Sequence, residues 1–226
     1  MMKRKLFNQS LRMALLSALC LISLSFVSCS GDDEDEDEDT EEDNFETTGT
    51  INGYEYVDLG LSVKWAICNV GADFPRDYGD YFAWGETEPR DNYLEANAYT
   101  CGVEMDDIAG NSKYDAAKAN WGGSWRLPTS DEMQELVDSC TWEWMTMIDV
   151  NGYLVTGSNG NSIFLPAAGL LYTMALNGDG SDGCYWSSTP YGSSTYRAYS
   201  LMFDYVNCLV HSFERYYGGS VRPVTE

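Results

Sequence analysis

The chain has 226 residues, enough for one sizeable domain with leader segments. Its 13 basic residues stand against 36 acidic ones, a formal net charge of -23, and phosphate repulsion therefore excludes a nucleic-acid partner, leaving cations and neutral ligands as easier ones. With 16 tyrosines, 7 tryptophans and 21 glycines, the composition suits a loop-rich, β-containing domain and argues against a helical bundle.

Lys3, Arg4, Lys5 and Arg12 precede an apolar stretch over residues 13–27. About 15 residues are too few to span a bilayer comfortably, and the pattern is that of a secretory signal peptide. The stretch ends at Phe26, Val27, Ser28 and Cys29, which resembles the lipobox of bacterial lipoproteins, with Phe26 where leucine is usual. Cys20 is the poorer acylation site, because bulky Leu19 precedes it where the lipoprotein peptidase needs a small residue such as Ser28. Residues 1–28 are thus expected to be cleaved, leaving Cys29 acylated with palmitate-type chains. At roughly 0.8 kcal/mol for each buried CH₂, two or three such chains hold a protein on a membrane almost permanently.

Residues 32–46 hold 12 of the acidic residues, and 24 acidic against nine basic residues follow. Self-repulsion keeps such a run extended, so residues 29–49 are read as a tether. Spacing and solubility are sufficient roles for it. Acidic residues just after a lipidated cysteine also resemble the signal that sends some lipoproteins to the outer face of the outer membrane, so a cell-surface location is expected. Nothing in the run sets a calcium-coordination loop.

The folded domain is placed at residues 50–226. Val57, Leu59, Leu61, Val63, Trp65 and Ile67 recur at period two, predicting a strand, or two strands interrupted near Gly60. Turn residues and aromatics then mix without a period over residues 69–100, which reads as irregular loops pinned by rings. Residues 115–121 carry a helix-like core ended by Gly122 and Gly123. Thr129 and Glu132 form a capping-box pair, and Met133, Leu136, Val137 and Cys140 follow at i, i+3, i+4 and i+7, predicting an amphipathic helix with one buried face. Trp121, Trp125, Trp142 and Trp144 flank it and are read as filling the margins where it docks on a sheet.

Segments 153–156 and 163–165 flank an Asn-Gly turn and predict a hairpin. Residues 177–183 lack the glycine and glutamate positions of an EF-hand and read as a loop without calcium. Three or four short strands fit the tail, where Tyr199, Leu201, Phe203 and Tyr205 alternate, followed by Leu209, His211 and Phe213. Tyrosine and serine crowd this region, a composition that supplies rigid amphipathic contact area with adaptable hydrogen bonding. Packing in half-buried strands also favours tyrosine, so both readings stand. If the face binds a ligand, its candidates are Tyr191, Ser193, Tyr196, Arg197, Asn207, His211 and Tyr216, whereas Trp186 and Val221 read as core.

His211 is the only histidine, and no nucleophile elbow, His-Glu-x-x-His helix or phosphate loop accompanies it, so no catalysis and no cofactor are expected. No Cys-x-x-Cys pair is present to suggest a metal site. Five cysteines follow Cys29 (Cys68, Cys101, Cys140, Cys184 and Cys208), an odd number that leaves at least one unpaired.

Five blocks in order, VDLGLSVKWAICNVGA from Val57, DYFAWGE from Asp80, WRLPTSDEMQELVDSCTWEW from Trp125, GCYWSSTPY from Gly183 and RYYGGSVRPV from Arg215, resemble the fibrobacter-type major paralogous domain family. The resemblance implies an α+β, C-type lectin-like fold, with two helices packed on short, mostly antiparallel strands among long irregular loops, also shared with formylglycine-generating enzymes. It further implies that the first strand pairs near the C-terminal SVRPV segment. Cys68 and Cys140, lying in the strongest blocks, are the first candidates for a disulfide. Cys184 and Cys208 do not match the context of the oxidase cysteine pair, and the calcium-binding tripeptides of sugar-binding lectins are absent.

The expected function is that of a surface-anchored lipoprotein, held to the membrane through its lipid, whose lectin-like domain binds a glycan or a protein. The alternatives are a fimbrial or envelope subunit that self-associates, or a variable protein of a diversity-generating retroelement.

Overall fold

The computed structural model describes residues 45–226. The expected signal peptide, the lipidation site Cys29 and most of the acidic run lie outside the described residues. In chain order the elements are strands β1 (Gly49–Ile51), β2 (Tyr54–Val57) and β3 (Lys64–Ala66), then helices α1 (Ala116–Trp121) and α2 (Ser130–Ser139). Nine strands follow: β4 (Thr141–Met147), β5 (Val150–Thr156), β6 (Ser162–Pro166), β7 (Ala168–Tyr172), β8 (Ala175–Asp179), β9 (Gly183–Pro190), β10 (Arg197–Phe203), β11 (Cys208–Glu214) and β12 (Val224–Thr225). They form a four-stranded sheet β1-β2-β3-β12, a five-stranded sheet β11-β10-β9-β7-β8 and a three-stranded sheet β4-β5-β6. No helix among the described residues is long and apolar enough to cross a membrane.

These sheets correct the expected α+β, C-type lectin-like architecture. Twelve strands against helices of six and ten residues make the described chain a predominantly β fold, layered like a sandwich. The excess strand content sits where the sequence lacks a decisive period. Thr141–Met147 follows α2 without a loop, and its two tryptophans read as flanking mass, yet it pairs along its whole length with β5. Residues 168–179, read in part as loop, fold into the β7–β8 hairpin.

The five-stranded sheet divides two apolar clusters, because neighbouring strand residues point to opposite faces. Tyr185 lies opposite Leu201, and with Phe203 they pack on one side against Val155, Ile163 and Leu165 from the three-stranded sheet and Met133 and Leu136 from α2. One position along, Trp186 faces the other side, where it joins Ala198, Phe82, Trp84, Trp121 and Trp125. Both helices end as their residues dictate. Thr129 and Glu132 form the capping box, Arg126 holds Glu132 through two bonds of 2.8 and 2.7 Å, and the apolar stripe of α2 faces the first cluster. Asp115 caps α1 and, fully buried, also accepts the amides of Gly110 at 2.7 Å and Leu127 at 2.9 Å.

The termini of the domain meet as the resemblance implied, with Val224 of β12 opposite Trp65 of β3. Arg222, just before β12, is fully buried and fastens this junction. Its Nε donates to Asn69 Oδ1 at 2.8 Å, its Nη1 to the carbonyls of Ala66 and Ile67, and its Nη2 to that of Phe164 at 2.9 Å.

Candidate ligand-binding cleft

Strands β9 and β10 are joined by residues 191–196, a loop folded on itself by backbone bonds from Ser194 to Tyr191 and from Arg197 to Ser194. The Tyr191 amide donates to the Arg197 carbonyl at 3.0 Å, closing the base of the loop, and the Tyr191 ring packs edge-on against Tyr199 at 5.4 Å. Gly102 donates to the Thr195 carbonyl at 3.1 Å, which draws the long connection ahead of α1 alongside the loop. Between them lies a cleft of about 430 Å³, lined by Glu104 and Met105 on one wall and residues 190–195 on the other, with Arg215 on its buried side.

Arg215 follows β11 and is only 1 % exposed. Trp84 lies 4.3 Å from its guanidinium carbon, while its Nε donates to the Arg197 carbonyl at 3.1 Å and its Nη1 to those of Thr100 at 3.0 Å and Val103 at 2.8 Å. Burial draws its pKa below the ordinary guanidinium value, but an arginine remains charged throughout the accessible pH range.

The cleft gathers some of the sequence candidates and leaves others apart. Tyr191 and Ser193 line it. Tyr196, 47 % exposed, ends the same loop just before β10, its carbonyl accepting from the Arg215 amide at 2.9 Å and its hydroxyl towards Gly102. Arg197 lies beneath, where its guanidinium bonds the Ser212 carbonyl and approaches Glu214 at 3.8 Å, so it braces the hairpin. Asn207 sits in the β10–β11 turn at the far end of that hairpin, and the exposed His211 lies midway along β11, its Nδ1 accepting from the Ser212 amide at 2.7 Å. Tyr216 is stacked on Tyr217 at 4.6 Å in a ring cluster with Tyr172. Trp186 and Val221 are buried in the core, as expected.

Arg215, Glu104 and Met105 are the lining residues that the sequence reading missed. Continuing the alternation of Leu209, His211 and Phe213 gives no signal for Arg215, because Leu209 and His211 are exposed and the pattern assigns it to an outward face. Glu104 and Met105 carry no signal either.

The expected Cys68–Cys140 disulfide is corrected, since all five cysteines among the described residues are free thiols. The two sit in unlike surroundings, Cys68 just past β3 within the field of Arg222 and Cys140 at the end of α2 near Glu135. Burial raises both thiols, that of Cys140 to about 11 and those of Cys184 and Cys208 to about 12, so these groups are poor nucleophiles. Among the described residues no group of three or more His, Cys, Asp or Glu side chains is placed to hold a metal ion.

Residues 146–224 match the family model of a domain of unknown function (DUF8237). The matched segment begins in β4, ends at the first residue of β12, and includes the β9–β10 loop and Arg215, but leaves out Glu104 and Met105 on the opposite wall. No curated protein and no solved structure matches the chain.

Proposed function

We propose that the chain is a surface-anchored lipoprotein of the kind its sequence blocks resemble, and that its domain binds a glycan or protein ligand without catalysis. The cleft beside the β9–β10 loop is the contact site. The observation that carries this reading is the meeting of a partly buried tyrosine, Tyr191, a row of hydroxyl side chains and a buried arginine around one concavity. Sites for small ligands are concave and orient their occupant with a few placed polar groups, and this one has both properties.

The test uses the full-length chain, extracted in detergent and applied to glycan and protein arrays. Ser193 is exposed and lines the cleft, so Ser193→Trp should block the site without disturbing the core. Loss of array binding with an unchanged melting temperature supports the assignment; undiminished binding removes the cleft from consideration.

A structural role is favoured by a separate observation. At the edge of the five-stranded sheet, the β7–β8 hairpin exposes Tyr172, Leu176 and Met174, the last 77 % exposed. An unpaired edge with apolar side chains is a template for association. Sedimentation of the detergent-extracted chain distinguishes the two: an envelope subunit self-associates and gives no array signal.

A further inference from the structure

The charge state of the arginines narrows what the cleft accepts. Arg90, Arg126 and Arg197 each face a carboxylate, and every nitrogen of the buried Arg222 has an acceptor. Arg90 Nη1 and Arg197 Nε are themselves buried without an acceptor, but a carboxylate stands beside each of those charges. Arg215 differs from the three paired arginines in its charge balance and from Arg222 in its acceptors. Its Nε and Nη1 are committed to carbonyls, which cancel no charge, while among the described residues no acceptor pairs with Nη2 and no carboxylate is in ion-pair range. It is also the only cation lining the cleft. A buried positive charge with no carboxylate beside it at a concavity is incomplete, because buried charges are ordinarily paired, and Nη2 is left to meet an acceptor from the cleft.

Resting on the reading of the cleft as a ligand site, we propose that it takes a carboxylated sugar, a uronic-acid residue within an otherwise neutral glycan, with the carboxylate on Arg215. Guanidinium and carboxylate match in planar geometry, and a charge-assisted bond inside a cleft is about twice as strong as a neutral one. Ser193, Ser194 and Thr195 present hydroxyls that exchange hydrogen bonds with sugar hydroxyls, and Tyr191 offers a ring for the pyranose face. This array of neutral donors and acceptors selects a polyhydroxylated ring over a peptide terminus. The acidic surplus beyond the tether, 24 acidic against nine basic residues, sets the other bound on the ligand. Long-range repulsion disfavours polysulfated or polyphosphate chains, whereas one carboxylate delivered to one buried cation is tolerated.

The discriminating experiment alters the ligand rather than Arg215, whose replacement endangers folding. The detergent-extracted full-length chain is titrated with a glucuronate-containing oligosaccharide and with the same oligosaccharide after reduction of its carboxylate to an alcohol. The acidic form should bind at least about tenfold more tightly, the preference should shrink as salt rises, and Glu104→Gln, removing the like charge on the opposite wall, should tighten it about two- to fivefold. Equal affinity for the two forms overturns the carboxylate assignment and leaves the glycan reading standing. No binding of any glycan on the array overturns the reading beneath it. Tighter binding of heparin, or of a peptide carboxylate over its amide with no glycan bound, overturns the assignment to a sparsely charged sugar.

Discussion

Arg215 and Arg222 bring the same charge into the interior and meet different partners there. Arg222 reaches acceptors at the β3 end with the loop that follows it and on β6, so it holds its own segment to two others that are distant in sequence. Lysine keeps the charge but not the planar fork, and strands at least two of those acceptors. Arg222→Lys should therefore lower stability by about 3 kcal/mol, read from the urea midpoint, and a change under about 0.5 kcal/mol would show that the fork is not what fastens the termini. Glu86 is a second buried charge, 2 % exposed, bonded to Arg90. Burial outweighs Arg90 and lifts its pKa to about 7 from the ordinary 4.5. The folded state thus keeps a proton that the unfolded chain has released, and stability attributable to Glu86 falls as pH rises from about 4.5 to about 7, staying level on either side. Plotting the stability of the wild type minus that of Glu86→Gln against pH should give a decline confined to this window; a flat difference contradicts the shift. No local pattern in the sequence marks Arg222 or Glu86 as a buried charge. Burial of a single charge depends on which segments arrive around it, and no local pattern encodes that arrival.

Elements were legible in proportion to the local rules that define them. The capping box, the apolar stripe of α2, the glycine stop of α1 and the Asn-Gly hairpin all appear where the residues place them, since each depends on neighbours within a few positions. β4 and the β7–β8 hairpin were less legible because their partners impose the pairing. Gly169 shows how. It adopts φ 65°, and a Cβ there would come within 2.4 Å of the Asn177 carbonyl oxygen and 2.7 Å of the Asp179 amide nitrogen. Pairing passes from Ala168–Asp179 to Leu170–Asn177 with Gly169 set apart, its amide donating instead to Asp182 at 2.7 Å. From sequence alone a glycine at this point says only that the strand is weakened. Gly169→Ala meets backbone on two sides in a left-handed conformation and should cost about 2 kcal/mol or more. Loss should be local first: amides of β7 and β8 exchanging faster than those of β10 would confirm it, and uniform acceleration would place the effect in the core.

On the scale of the molecule, the cleft joins the β9–β10 loop to the segment before α1, stretches about 90 residues apart in the chain. The tyrosine- and serine-rich composition pointed to the loop and could not point to its opposite wall, nor reveal that Asn207 would be carried away from it by the hairpin and Tyr216 drawn into a ring cluster with Tyr172 and Tyr217. A binding domain at a cell surface also needs anchorage, and the proposed anchor is separable from the site. Cys29→Ser removes the acylated thiol and leaves every residue of the cleft in place. Several kcal/mol of membrane affinity reside in the acyl chains, so the variant should lose incorporation of labelled fatty acid and move from the membrane fraction to the soluble one. Its ligand affinity should remain within about twofold of that of the acylated chain, because among the described residues the strands that position Arg215 and the loop begin only at Gly49. Retention in the membrane without the label would mean that something other than Cys29 anchors the protein. Simultaneous loss of anchorage and affinity would mean that binding depends on presentation at the membrane, with many weak contacts acting together, and that a single cleft is too small a unit to describe it.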